Sequence, residues 1–215
     1  MEIEHREYQQ RSIEKALEHF RNGSKSVLLE APTGSGKTVM GLKIVQGLMQ
    51  SAGEKLSCAW VAPRHYLLNQ LLESNSSFDL PIKPVSMFTK PENAEHFDIV
   101  VIDEAHHEAT SSFINLYTQM RPKYLLGLSA TPLRTDKIKL AFSDTVSECN
   151  IHQLIRDGYL CKFNSYIIDS FTPETVAEHY LRQEDLWGKT LVFMPTLAEC
   201  ARFQTLIRQA GRECL

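Results

Sequence analysis

Ala31-Pro32-Thr33-Gly34-Ser35-Gly36-Lys37-Thr38 follows the apolar run Val27-Leu28-Leu29 and precedes Val39-Met40-Gly41-Leu42-Lys43-Ile44-Val45, a segment compatible with a helix. That order of strand, glycine-bearing turn and helix is the setting of a phosphate-binding loop. Glycines let consecutive backbone N–H groups turn inward around an anion, and the following helix presents its positive end. Lys37 adds a full charge for the outer phosphates, and the Thr38 hydroxyl is placed for Mg²⁺. Pro32, Thr33, Gly34, Ser35 and Gly36 form the body of the turn. Ala31 stands where the pattern G-x-x-x-x-G-K-T has its first glycine.

A nucleotide loop needs a carboxylate opposite it. Asp98 to Ile102 reads as a buried parallel strand, and Asp103 leaves its carboxyl end, where open α/β sheets bind ligands. Asp103 is therefore expected to share a Mg²⁺ ion with Thr38. Its neighbour Glu104 is the candidate that orients or deprotonates an attacking water. A third apolar run, Tyr124-Leu125-Leu126-Gly127-Leu128, delivers Ser129 and Thr131 to the same crevice.

Asp103-Glu104-Ala105-His106, Ser129-Ala130-Thr131 and the loop from Ala31 to Thr38 together resemble superfamily 2 DEAD/DEAH-box helicases and translocases, among which the loop reads A-P-T-G-S-G-K-T. The likeness is closer to the restriction-enzyme and excinuclease-like DNA helicase branch. Arg6-Glu7-Tyr8-Gln9 resembles that branch's adenine-reading segment, Gly127 to Arg134 supports the likeness, and Leu154-Ile155-Arg156-Asp157-Gly158-Tyr159-Leu160 resembles its exit from the first motor lobe. The resemblance implies an α/β, RecA-like P-loop fold, a parallel sheet with helices on both faces. It also implies that ATP and Mg²⁺ are the cofactors, and that Ser129, Thr131 and His106 couple nucleotide state to lobe movement. Gln9 has the amide donor and acceptor needed to read an adenine edge, with Arg6 beside it, and precedes a helix with Ile13, Ala16, Leu17 and Phe20 on one face.

The resemblance further implies nucleic-acid contacts, to DNA rather than RNA. Pro63, Arg64 and His65 occupy a strand end leading into a helix, where N–H groups and a basic side chain hold backbone phosphates. Thr89 and Lys90 follow the next strand, near Pro84-Val85-Ser86. The formal net charge of −3 and pI near 6.2 exclude a broad basic surface, so a narrow, salt-sensitive backbone track is expected.

A chain of 215 residues with 43% apolar content buries one good core. Residues 1–163 account for the first lobe, and residues 164–215 read as the start of a second. In that start, Tyr166-Ile167-Ile168 and Thr190-Leu191-Val192-Phe193 read as strands and Pro173 to Gln183 as a helix. Leu197 to Ala210 reads as a second helix, with Leu197, Ala201, Leu206 and Ile207 spaced for burial, and Cys214-Leu215 as the start of another strand. The family's arginine finger, worth about 10³ to 10⁵ in related phosphoryl transfers, lies beyond these segments, so slow hydrolysis is expected of these residues alone. An incomplete lobe leaves an apolar face that packs on the first lobe, pairs with another copy as a homodimer, meets a separate subunit that supplies the missing motifs, or stays mobile.

The five cysteines form no C-x-x-C pair and no metal-ligand spacing, which fits a reduced, cytoplasmic protein without structural zinc. The N-terminus is charged, and no apolar run approaches the ~18 residues of a membrane span. The expectation is the ATP-binding lobe of a nucleic-acid-dependent ATPase. The alternative is a non-catalytic nucleotide-binding or protein-interaction module derived from one.

Overall fold

Short apolar runs suit strands covered on both faces, because the crossover helices of a parallel sheet lie over both of its faces. In the computed structural model, which describes residues 6–90, 95–107, 118–131, 142–162, 167–188 and 190–214, such runs become β1 (Ser26–Glu30), β2 (Cys58–Ala62) and β4 (Ile99–Asp103). Every residue of β2 and β4 is buried. With β3 (Ile82–Ser86), β5 (Tyr124–Ser129) and β6 (Asp144–Val146) they form one parallel sheet in the order β3-β2-β4-β5-β1-β6.

Parallel neighbours put their carboxyl ends on one edge. Glu30 lies opposite Ser129, Asp103 opposite Leu128, and Ala62 opposite Ser86. The two-residue period of a strand then sorts side chains between two cores. Val27, Leu29, Trp60, Val101 and Leu126 join one cluster, while Leu28, Ala59, Val61, Val100 and Leu125 join the other. The first cluster is covered by α1 (Glu7–Arg21), α2 (Lys37–Ser51), α3 (His65–Asn75) and α4 (Ile151–Arg156). Ile13, Ala16 and Phe20 of α1 are buried as their spacing predicts, and Leu17 packs beside Gly47. The second cluster draws on Val85, Met87, Phe97, Ala105 and Met120.

Strand β4 is displaced by one residue from its sequence reading, ending on Asp103 rather than before it. Asp98 is occupied instead by a side-chain clamp. Its Oδ2 accepts bonds from the Ser57 amide (2.8 Å) and hydroxyl (2.7 Å), and its N–H donates to Ser57 Oγ (3.0 Å). The clamp joins the entry of β2 to that of β4.

The chain forms two compact units, Met1–Lys162 and Phe163–Leu215. The second contains α5 (Pro173–Arg182), α6 (Glu184–Trp187) and α7 (Leu197–Gln209). Thr172 and Thr196 cap α5 and α7 by accepting the amides of Thr175 and Glu199. Gly211, with φ +75, ends α7, its N–H donating to Arg208 while that of Arg212 reaches Ile207. Ala177, Phe203 and Ile207 form its core, with Leu206 partly buried.

Two expectations for this segment need correction. Ile167, Ile168 and residues 190–193 form no strand, and neither does Cys214; Tyr166 and Leu215 lie outside the described residues. A strand needs a neighbour to receive its ladder hydrogen bonds, and among the described residues of this unit there is none. Ile167, Leu191 and Phe193 are consequently exposed. Leu197 and Ala201 are exposed as well, because α7 turns Phe203 and Ile207 toward α5 instead.

Candidate nucleotide site and its neighbouring strand ends

The loop after β1 starts by bonding across the sheet: the Ala31 N–H donates to the Ser129 carbonyl at 3.0 Å. It then turns through Gly34 (φ +81) and Gly36 (φ +87), left-handed conformations in which a Cβ is strained. Space is restricted too. A Cβ on Gly36 would stand 2.7 Å from Gln9 Nε2, and one on Gly34 would stand 3.1 Å from Leu160 Cδ2. Gly36 is the N-cap of α2 and offers no side chain to its first turn, which holds Lys37 and Thr38, both partly buried. The unpaired amides of a helix start therefore face an approaching anion without competition from a cap. Thr33 and Gly34 are the exposed part of the turn, and Pro32 is partly buried.

Ser35 is fully buried, its Oγ without a hydrogen-bond partner. Its carbonyl accepts two bonds of 2.8 Å, from the Tyr8 hydroxyl and from Gln9 Nε2. The other end of the Gln9 amide accepts the Arg6 N–H at 3.2 Å. Both halves of the group expected to read adenine are thus bonded to protein. Arg6 also donates from Nη1 to the Tyr8 hydroxyl (3.3 Å), and its guanidinium lies 4.8 Å above the Tyr159 ring, itself 5.5 Å from the Tyr8 ring. The loop is therefore held from behind by the start of α1 and by the segment that follows α4. Tyr8, Tyr159 and Leu160 fall within recognisable motifs, but sequence patterning carries no signal for this contact because the three segments are remote along the chain.

Asp103 is 7% exposed. Burial pushes its carboxyl above the usual carboxylate range, and the charge of Glu104 adds to the shift; the Glu104 N–H, the Trp60 indole and Lys37 oppose it. The Glu104 N–H bond is 3.0 Å. The Trp60 indole N–H is near enough to exert a pull but outside hydrogen-bond geometry, and so stays unpartnered. A buried carboxylate at this strand end is a group that could hold a divalent cation, which would supply the opposite charge that burial withholds. Glu104 itself sits at φ +53, a costly conformation for a residue with a Cβ. His106 lies in the 3₁₀ turn Ala105–His107 with Nδ1 3.4 Å from both Glu104 Oε2 and the Ser129 hydroxyl. Ser129 Oγ also accepts the Thr131 N–H at 3.2 Å. Asp103, Glu104, His106, Ser129 and Thr131 are thereby joined through consecutive contacts at the ends of β4 and β5.

The remaining candidates lie at the β2 and β3 ends. Arg64, in extended conformation, is the N-cap of α3; Arg64 and His65 are exposed and Pro63 is partly buried. The Met87 N–H donates to the Ala62 carbonyl at 3.1 Å, and the Thr89 N–H closes a turn on Ser86 at 2.9 Å, leaving Lys90 exposed. Residues 132–134 of the segment Gly127 to Arg134 lie outside the described residues. Among the described residues no helix is long and apolar enough to cross a membrane, and no group of His, Cys, Asp and Glu could hold a metal ion by itself.

The chain is 25% identical over 195 residues to the type I restriction enzyme EcoAI endonuclease subunit of Escherichia coli, covering 76% of this chain and 24% of that protein. It is 25% identical over 202 residues to the putative ATP-dependent helicase IRC3 of Saccharomyces cerevisiae, covering 77% and 29%. It thus spans about a quarter of the length of these relatives. In fold it is similar to a nuclease-deletion mutant of the type ISP restriction-modification enzyme LlaGI solved with a DNA substrate mimic, with a TM-score of 0.57 and 17% identity over 86% of this chain and 23% of that one. With residues 2–81 and 77–134 matching the type III restriction enzyme res subunit family, the chain belongs to that family and folds as the N-terminal lobe of a superfamily 2 helicase.

Proposed function

We propose that this chain is the ATP-binding lobe of a nucleic-acid-dependent ATPase of the DNA helicase or translocase type, with a DEAH-box site that uses Mg²⁺. The observation that carries the reading is the convergence of the glycine-turned loop, the uncapped start of α2 with Lys37, the buried Asp103 and the Ser129 pivot on the carboxyl edge of adjacent strands. Lys37 and the amides of the loop hold the β- and γ-phosphates. Thr38 and Asp103 would hold Mg²⁺, which would supply charge neutralisation for phosphoryl transfer. Glu104 orients the attacking water and takes its proton. His106, with Nδ1 between the Glu104 carboxylate and Ser129, reports on that group to the segment Ser129 to Thr131.

Adenine recognition by Gln9 and Arg6 uses donors and acceptors beyond those protein bonds, since an amide group has two N–H donors and two acceptor lone pairs and a guanidinium has five donors. The first unit offers one side of the nucleotide crevice, so hydrolysis by these 215 residues alone is expected to be slow. Pro63, Arg64, His65, Thr89 and Lys90 hold nucleic-acid backbone, with DNA favoured by the relatives, one of which is named a restriction endonuclease subunit.

The test is titration of a fluorescent ATP analogue, with hydrolysis measured beside it. Lys37→Ala is expected to weaken binding at least tenfold, and Glu104→Gln to bind normally while losing hydrolysis. Unchanged affinity in Lys37→Ala would overturn the assignment. ATP binding without hydrolysis under any condition, DNA included, would favour the non-catalytic module.

A further inference from the structure

Tyr66 and Phe88 are 62% and 71% exposed, the most exposed aromatic side chains among the described residues of the first unit. They are far apart along the chain but leave neighbouring strand ends. Ala62 and Ser86 are register partners, and the Met87 amide bonds to the Ala62 carbonyl. Tyr66 is the second residue of α3, and Phe88 sits in the turn in which its N–H donates to Ser86 Oγ and that of Thr89 to the Ser86 carbonyl. Secondary structure on each side therefore holds each ring outward.

Arg64 and Lys90 each stand two residues from a ring, with His65 between Arg64 and Tyr66; Glu92, two residues past Lys90, lies outside the described residues. The carboxylates of segment 61–90 are Glu73, in the last turn of α3, and Asp79 just beyond it, at the opposite end of the helix. Lys83, lower on β3, is paired with Glu95. Exposed rings with cationic side chains close by are what a strand of unpaired nucleotides needs: a face for a base and a charge for a phosphate. A duplex keeps its bases stacked on each other and has no use for such rings outside its grooves.

We propose that Tyr66 and Phe88 form a base-stacking platform that gives this strand-end site its preference for single-stranded nucleic acid. The inference rests on the nucleic-acid reading above and adds to it, since backbone contacts alone do not distinguish a strand with bases from one without.

The experiment measures fluorescence anisotropy of three labelled probes with the full chain: a deoxythymidine oligomer, an abasic oligomer of the same length, and a duplex. The wild type is expected to bind the thymidine oligomer on the order of tenfold more tightly than the abasic one. Tyr66→Ala/Phe88→Ala is expected to remove that advantage and leave abasic binding unchanged; both rings are exposed, so the fold is retained. Arg64→Ala is expected to weaken both strands equally and reduce the salt dependence. If the double variant keeps its thymidine preference while Arg64→Ala loses affinity, the platform is refuted and the nucleic-acid reading stands. If the wild type binds none of the probes, both fail. If the double variant abolishes self-association seen by light scattering without changing strand affinity, the occupant is a second copy, and the platform is likewise refuted.

Discussion

Replacing Gly36 with alanine tests the contact between the loop and α1, because the structure assigns two separable costs to one methyl group. The first is backbone strain. At φ +87 an alanine costs about 1–2 kcal/mol for the left-handed conformation, partly offset by the lower entropy of its unfolded chain. The second depends on a neighbour: the new Cβ would stand 2.7 Å from Gln9 Nε2, so the flexible end of Gln9 must move. Moving it breaks the 2.8 Å bond to the Ser35 carbonyl, worth about 1 kcal/mol, and leaves a buried amide seeking a partner at up to about 3 kcal/mol. The Ser35 carbonyl keeps its bond from Tyr8, which limits the loss on that side.

The sum is about 2–4 kcal/mol. In a Gln9→Ala background the obstacle is gone, and Gly36→Ala should cost only about 1 kcal/mol, its backbone part. The double-mutant cycle should therefore give a coupling of about 1–3 kcal/mol. Urea unfolding measures it. The chain's two tryptophans are Trp60, fully buried in the first unit, and Trp187 in the second, so a Trp187→Phe background makes fluorescence report the first unit alone. Equal cost of Gly36→Ala with and without the Gln9 side chain would refute the reasoning.

Three further outcomes are expected. Gly41→Ala gains about 1 kcal/mol of helix propensity but drives a Cβ to 2.8 Å from Trp60 Cη2 and 3.0 Å from Leu128 Cδ1, inside a packed core where such crowding costs about 1–3 kcal/mol, so net destabilisation in the same urea assay is expected. Asp103 has a raised pKa, so the stability from its protonated form is complete below the ordinary carboxylate pKa and is lost as pH rises through the folded value. Asp103→Asn should therefore unfold at higher temperature than the wild type near neutral pH without nucleotide or divalent cation, and the gap should close in acid. Asp98 has the opposite sign: the Ser57 hydroxyl and amide hold its pKa down, so the stability it contributes is present above the ordinary carboxylate pKa and lost as pH falls through the folded value. Ser57→Ala should lower the melting temperature at neutral pH and lower it less in acid; a pH-independent difference would refute this role for the clamp.

Legibility differs between the two halves of the chain for a physical reason. Strands β1, β2 and β4 can be read because their apolar runs are buried on both faces, a pattern that leaves few alternatives. Thr190 to Phe193 has the same kind of apolar content but, among the described residues, no strand beside it, and a strand is a property of a pair. Leu197 shows the same limit for helices, since its spacing suits burial but only a packed neighbour can bury it. Asp98 reads along the chain as the start of a strand, although Ser57, distant in sequence, engages it as a clamp.

What the sequence determined by itself is local. Gly34 and Gly36 permit the left-handed turn, Lys37 begins the helix after it, and apolar runs make strands, because each depends on residues within a few positions. The tertiary structure alone decided which strand ends become neighbours, and so which side chains share a site. Pairing of β1 with β5 ties the loop to Ser129, and pairing of β2 with β3 sets Tyr66 and Phe88 on adjacent ends. Packing of α1 and the segment after α4 against the loop commits Gln9 to Ser35. Those partners are remote along the chain, and burial and hydrogen bonding in the folded protein, rather than any spacing in the sequence, bring them together.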